Sequence, residues 1–518
     1  MSRAPRPIDC DALVIGSGAG GSVAALGLAR AGRDTVVLEE GPRVTTAEIA
    51  AATPAQNLRR LYRHAGLAPI HGRPVIAFGE GCCVGGTTVV NGGLLWEPPA
   101  DLLDRWADHA GTDGYRRPDL DRHLREITRR LGVAVQRPGD GNRDSRLLAD
   151  GADRLGWHWA AARRAAPGCS HANRCPTGCP SGAKQSMLLS YLPAAERHGA
   201  RIHPRTRVLG LSHRRRSVTA VHALGPEGEP LTYRPRTVVL AAGPIGSPAL
   251  LQRSGIHRRH AGRRTAVHVN LKVVARFPEP VRATRGTIFT AQLQHFQDQG
   301  LLVMPANLTP GALGAALAGH DPRTVDALLA DLDRTALFTA QVRVDGPVAV
   351  TSLPGGRTLL RHRLTAADGH RLRSALHLTA RLLLAAGATA VHPPFPGPPL
   401  RSEAEARQCA EHSSLADWPL VSVHAMASCP MGTPAGGGLC DPVGRPYGFD
   451  NLHLCDASVL PGATGISPQG TVMAFAHEIT ERLLESTRPQ LTRAQTSRPQ
   501  TTRPQSTPLR PTRRETTG

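Results

Sequence analysis

Aromatic side chains make up only 3% of this 518-residue chain, and lysine is nearly absent, with Lys184 and Lys272 the only two. The first shortage argues against an aromatic-lined surface for lipid or for stacked nucleic-acid bases. The second leaves arginine to carry almost all of a formal net charge of +21. A charge that large suits a polyanionic partner. Yet the arginines are scattered and no basic run is interleaved with aromatics, which argues against nucleic acid. A GC-rich coding bias accounts for the same pattern. No stretch reaches the ~20 uncharged apolar residues of a membrane span. Met1 to Asp11 runs almost directly into a strand-like segment, with no room for a secretory signal. A soluble cytoplasmic protein is therefore expected, with its ten cysteines mostly reduced.

The length suits two domains plus extensions. Strongly patterned blocks run from about Asp11 to Pro99, from Cys169 to Ile256 and from His424 to Glu485. A more variable region, Ala266 to Asp417, separates the last two; there Leu372, Leu376 and Leu383 fall on one face of an amphipathic helix. After Glu485 the composition turns to Thr, Arg, Pro and Gln, with Arg488-Pro489-Gln490, Arg498-Pro499-Gln500 and Arg503-Pro504-Gln505 echoing one another. Such a tail cannot bury enough surface to offset its ordering entropy, so it is expected to be disordered.

Ala12 to Ile15 is wholly apolar, as in a buried parallel strand. It leads into Gly16-Ser17-Gly18-Ala19-Gly20-Gly21, then a helix from Ser22 to Ala31 and a second apolar strand, Thr35 to Leu38, ending at Glu39. Gly16 allows the tight turn, Gly18 the approach of a pyrophosphate, and Gly21 close helix–strand packing. The helix N-terminus offers unpaired N–H groups to phosphates. Glu39, about twenty residues on, is placed to accept from a ribose hydroxyl. Strand, turn, helix, strand and acid in this order predict dinucleotide binding, without separating FAD from NAD.

Further motifs make that choice. Gly81 to Gly93 contains Gly85-Gly86-Thr87-Thr88 and ends in Asn91-Gly92-Gly93. Gly243-Pro244-Ile245-Gly246-Ser247-Pro248 continues to Ile256, His424 to Gly432 reads HAMASCPMG, Asn451 to Ser458 reads NLHLCDAS, and Ser467-Pro468-Gln469-Gly470-Thr471 follows. In this order they resemble the signatures of the glucose–methanol–choline (GMC) oxidoreductases over nearly the whole chain to Glu485. The resemblance implies an α/β fold, a Rossmann-like FAD-binding domain with an inserted α+β substrate domain of antiparallel sheet and helices. It implies a discontinuous FAD-binding domain at 8–110, 185–265 and 418–487. A flavin-covering and connecting segment would span 111–184, a substrate domain 266–417, and the basic tail 488–518. Gly85, Gly86 and Asn91 fall where the family's loop covers the flavin, and Val208, Asp456 and Pro468 are also expected at the cofactor. Val90 stands where some members carry a flavin-linked His, so a noncovalent flavin is expected.

Alcohol oxidation needs an acceptor for the hydroxyl proton while hydride leaves the carbon, and a neutral imidazole suits that task. His424 matches the family's catalytic His. Two departures are visible beside it: Ala427 replaces the Gly of the motif and Pro430 its Arg. The second active-site residue of the family, Asn or His, falls on Ser467 or Pro468, so Ser467 is the second catalytic candidate. Ser467 also reads as the N-cap of a helix starting with Pro468, whose stripe is Val472, Phe475, Ile479 and Leu483; its positive end would support a reduced, anionic flavin. His477 on that helix reads as surface or core.

Cys169, Cys175 and Cys179 lack the fourth thiolate and the spacing of a cluster, and recruiting His171 for zinc is not diagnostic, so no metal is expected. With Gly182-Ala183-Lys184 the stretch is similar to a flavin-side loop in the branch holding long-chain alcohol oxidases and cholesterol oxidase-like enzymes. The resemblance implies oxidation of a primary alcohol to an aldehyde, with O2 or another acceptor reoxidising FAD. The Arg-rich composition fits a high-GC bacterium whose antibiotic biosynthesis includes members similar to paromamine 6'-oxidases. A sugar-like or aminoglycoside hydroxymethyl group is therefore the expected substrate. Long-chain or sterol alcohols are the alternative, and an FAD-containing hydroxynitrile lyase the alternative of another class.

Overall fold

A run that is apolar on both faces needs cover on both faces, and Ala12 to Ile15, the buried half of strand Ile8–Ile15, finds it at the centre of a sheet. In the computed structural model, which describes residues 6–111, 114–136 and 141–487, this strand pairs in parallel with Thr35–Leu38 on one side and Pro230–Leu240 on the other. Arg201–His203 extends the first edge in parallel. On the second side, Leu452–Leu454 lies parallel to the end of Pro230–Leu240, and Ser217–Leu224 and Arg207–Arg214 continue antiparallel. The helices Ala19–Arg30 and Gln469–Ser486 stack on one face, meeting where a side chain on Gly27 would collide with Thr480 Cγ2. The arrangement is α/β, as expected.

The second sheet centres on Ala266–Arg276, which pairs antiparallel with Thr335–Arg343 along nine residues. Leu301–Pro305, Ala291–Leu293 and Trp159–Ala161 follow beyond Thr335–Arg343. The other edge of Ala266–Arg276 is shared by Leu420–Met426 and Ala390–His392. Ile76–Phe78 and Ala68–His71 then continue to Thr358–His362 and Val348–Ser352. The sheet thus reaches beyond 266–417, because an open edge of the central strand must be paired and the chain supplies Leu420–Met426 as it returns to the first sheet. Helix Ala366–Ala385 covers it with Leu372, Leu376 and Leu383, all fully buried, as their spacing predicts.

Helix Gln469–Ser486 buries Val472, Phe475, Ile479 and Leu483 together, again as expected. Its start differs. Pro468 (φ −80°, ψ −10°) is the cap residue, its carbonyl accepts from Val472, and no side chain caps the turn. Ser467 therefore does not act as the N-cap; the helix begins one residue later than the Ser-Pro pattern suggests. Residues 488–518, read above as a disordered tail, lie outside the described residues.

Candidate active site

The turn after Ile8–Ile15 is packed so tightly that most of its glycines admit nothing larger. A Cβ on Gly16 (φ +100°) would sit 2.2 Å from the Ala241 carbonyl oxygen, one on Gly20 1.9 Å from that of Cys455, and one on Gly21 2.0 Å from that of Gly16. Gly18 is the exception, with nothing within 4 Å of that position. It is the N-cap of Ala19–Arg30, where no side chain caps the helix and no acid occupies the first turn. An uncapped twelve-residue helix with open space at its N-terminus fits an anionic pyrophosphate. The residues present therefore fit the nucleotide of FAD.

Glu39 is buried behind this turn, accepting from Ser17 N–H at 3.1 Å, Ser17 Oγ at 2.6 Å and Gly41 N–H at 2.9 Å. Burial pushes its carboxyl above the usual range despite those bonds. Three of roughly four acceptor positions of the carboxylate are thus taken, leaving one for a ribose hydroxyl. Ser17 Oγ in turn accepts from Gly85 N–H at 3.0 Å, so one hydroxyl joins the first motif to the second. Gly85 (φ +96°) and Gly86 (φ +56°) are left-handed, and a Cβ on Gly86 would lie 3.0 Å from Gly18 Cα.

The segment from Gly85 to Asn91 is held from below by Lys184. Its ammonium donates to the carbonyls of Val89 and Asn91, both at 2.7 Å, and to that of Cys175 at 3.3 Å. Burial pulls this lysine down to about 8. Asn91 also donates to Gln469 Oε1 at 2.5 Å, joining the loop to the carboxy-terminal helix. Cys175 lies 3.5 Å from Arg164, Cys179 accepts from Lys184 N–H, and Cys169 contacts Thr287, so the three thiols serve different partners. Asp456, buried, accepts from Gly243 N–H at 2.9 Å, Ser247 Oγ at 2.5 Å and Ser458 N–H at 2.7 Å, stitching the 243–248 motif to the 451–458 strand. Val208 is buried on Arg207–Arg214 and borders a cavity of about 360 Å³.

His424 lies on Leu420–Met426 directly across from His268. Their Nδ1 atoms are 3.2 Å apart, and Gly465 N–H donates to His268 Nε2 at 3.2 Å. Because Gly465 can only donate, His268 must accept at Nε2 and carry its hydrogen on Nδ1, which it gives to His424 Nδ1. The hydrogen of neutral His424 is then on Nε2. Burial lowers His424 to about 4 and His268 well below the imidazole range, the neighbouring ring adding to the effect on His268. His424 is half-buried.

Ser467 is buried two residues beyond Gly465, while the side chain bonded to His424 is His268. Sequence reasoning missed His268; its one signal was an alternation of polar residues, His268, Asn270 and Lys272, along an otherwise apolar run. His477 is on the helix interior side, bonded to Tyr191 Oη at 3.0 Å and stacked on His123. Ala427, the departure from the motif's glycine, has φ +60°. A left-handed conformation explains why glycine suits that place.

The GMC oxidoreductase family profiles match residues 58–270 and 348–476, and an FAD-binding-domain profile matches residues 11–55. An uncharacterized GMC-type oxidoreductase of Mycobacterium tuberculosis is 37% identical over 490 residues, covering 92% of this chain and 76% of that protein. A long-chain-alcohol oxidase of Arabidopsis thaliana is 27% identical over 523 residues, covering 92% and 68%. Among solved structures, pyridoxine 4-oxidase from Mesorbium loti aligns with a TM-score of 0.70 at 17% identity, over 92% of this chain and 99% of that one. At that identity the likeness shows the fold alone. No helix among the described residues is long and apolar enough to cross a membrane.

Proposed function

Since the chain belongs to the GMC oxidoreductase family and is an FAD-dependent oxidoreductase acting on CH–OH donors, we propose that it oxidises a primary alcohol to an aldehyde on a sugar-like hydroxymethyl group, with O2 or another acceptor restoring the cofactor. The observation that carries this reading is the enclosed His268–His424 pair, on the sheet face that Gly465 and Ile466 cover. Gly16, Gly18, Gly21, Glu39, Gly85, Gly86, Asn91, Val208, Asp456 and Pro468 are the residues proposed to hold FAD, noncovalently because Val90 offers no linking group. Bound there, FAD supplies the two-electron acceptor for the hydride that leaves the alcohol carbon.

His424 is the proposed acid–base residue. Its Nδ1 is engaged by His268, which leaves Nε2 for the alcohol oxygen. In the resting tautomer Nε2–H donates to that oxygen and holds it. Taking up the hydroxyl proton requires the hydrogens of His424 and His268 on Nδ1 and Nε2 respectively, and so releases the Gly465 bond, a cost of about 1 kcal/mol. Ser467, close by in sequence, is a proposed hydrogen-bonding partner of the substrate. Asn270, Thr339 and Gln341 lie on the same sheet face and suit a substrate rich in hydroxyl groups. The likeness to a long-chain-alcohol oxidase of Arabidopsis thaliana favours a second reading, long-chain alcohols.

The test is anaerobic bleaching of the flavin by sugars, polyols, fatty alcohols and sterols. Bleaching by sugar-like primary alcohols is expected, and His424→Ala should slow it by ~10²-fold with FAD retained. An unchanged rate in that variant removes His424 from the chemistry. Absence of bleaching with every alcohol, alongside cleavage of a hydroxynitrile, would make the protein a lyase.

A further inference from the structure

The chain uses arginine almost everywhere a cation is needed; of its two lysines Lys184 is fully buried and Lys272 half-buried. Lys184 is accounted for by the carbonyls of the covering loop. Lys272 has no such cage. It follows His268 by four residues on the same strand, so both side chains stand on one face of the sheet. Its Nζ donates to Thr339 Oγ1 at 2.5 Å, and no carboxylate among the described residues forms an ion pair with it. Like His424, it keeps some accessible surface while burial alone pulls it down to about 8. Neither side chain is sealed off completely, and the two lie on neighbouring strands of one sheet.

The register fills in the rest of that face. His268 stands opposite Arg343, Asn270 opposite Gln341, and Lys272 opposite Thr339. Leu302 and Met304 lie beyond Gln341 and Thr339 and pack with Ile466 and Leu94, closing one side. No acid occurs anywhere in Ala266–Arg276, Leu301–Pro305, Thr335–Arg343 or Leu420–Met426. A wall of two cations, carboxamides and a hydroxyl, with no negative charge to balance it, is electrostatically selective. Burying an ammonium without a counter-charge is costly unless a ligand supplies that charge.

We propose that Lys272 is a substrate-binding residue and that the substrate is a hydroxymethyl compound carrying an anionic group, carboxylate or phosphate. The proposal rests on the alcohol-oxidising reading above and narrows it. A polycationic aminoglycoside would set like charges against Lys272 and Arg343 and is disfavoured, as is a wholly apolar long-chain alcohol, which would leave the Lys272 ammonium without a counter-charge.

The test uses FAD-loaded full-length protein and four probes: glycerol, glycerate, glycerol 3-phosphate and glucosamine. Anaerobic flavin bleaching should be at least ten times more efficient with glycerate or glycerol 3-phosphate than with glycerol, and weakest with glucosamine. Lys272→Met should abolish that preference through KM rather than kcat, and Lys272→Arg should restore part of it. Thermal melting checks that each variant folds. Thr339→Val provides a second route: loosening the ammonium should weaken the preference even if Lys272→Met fails to fold. The difference between glycerate and glycerol 3-phosphate separates carboxylate from phosphate. Equal bleaching by glycerol and both anions, or an unchanged preference in Lys272→Met, overturns the proposal. Bleaching by none of these, nor by fatty alcohols and sterols, would instead overturn the alcohol-oxidising reading on which it depends.

Discussion

His424 was legible in the sequence because its motif is contiguous, but the residue that determines its tautomer was not. His268 lies 156 positions away, and only sheet register brings the two imidazoles together. The pair makes a prediction about pH. His424 must be neutral to take a proton, and burial lowers it to about 4. Its activity is therefore present above that value and lost as pH falls through it. The rate of anaerobic flavin reduction should stay flat from about pH 8 to pH 5 and decline near pH 4. In His268→Phe the donor to His424 Nδ1 is gone and protonation there becomes easier, so the decline should move upward, while the burial that remains keeps it below the ordinary imidazole value of about 6.5. Stopped-flow reduction across that range checks both statements; superimposable profiles would deny His268 any hold over His424.

Whole elements were legible where local backbone demands determine them. The strand–turn–helix around Gly16 to Gly21 needs left-handed or Cβ-free positions, and only glycine supplies them. The amphipathic helices declared themselves by spacing. The start of Gln469–Ser486 was misread because Ser-Pro is a common opening, whereas here the backbone just upstream is already committed: Gly465 to His268, Ile466 to the cluster with Leu302 and Met304. The joints between motifs were also hidden, since a hydroxyl bridging Glu39 to Gly85 leaves no pattern in the chain. Ser17 is that joint, and its removal is a direct test. Ser17→Ala deletes the 2.6 Å bond to Glu39 and orphans Gly85 N–H. A buried donor left unsatisfied costs about 1–3 kcal/mol. The cofactor-free protein should lose that much unfolding free energy, read as a lower denaturant midpoint at unchanged slope, and FAD should bind roughly tenfold more weakly. Unfolding midpoints and FAD affinity equal to those of the unmodified protein would show that the two motifs are held together by something else.

On the scale of the whole molecule, the interleaving of the two sheets matters more than their separate architectures. The chain supplies Ile8–Ile15 and Thr35–Leu38 to the first sheet, then Ala68–His71 and Ile76–Phe78 to the second. It returns for Arg201–His203 through Pro230–Leu240, crosses again for Ala266–Arg276 onward, and comes back through Leu420–Met426 to Leu452–Leu454. Each sheet therefore contains segments whose flanks are anchored in the other. Unfolding either alone would strand those segments, and the loss of their pairing is not local. A single cooperative thermal transition is expected, although a chain of 518 residues would ordinarily unfold in separate domains. The residues proposed to hold FAD come from segments separated by several such crossings, so FAD should raise this one transition as a whole. At a free concentration one hundred times its dissociation constant the gain is about 2.7 kcal/mol. Calorimetry of FAD-loaded and FAD-stripped protein should show one peak in each, the loaded one displaced upward. Two resolved peaks, with FAD moving only the first sheet's, would mean that the crossings do not couple the sheets.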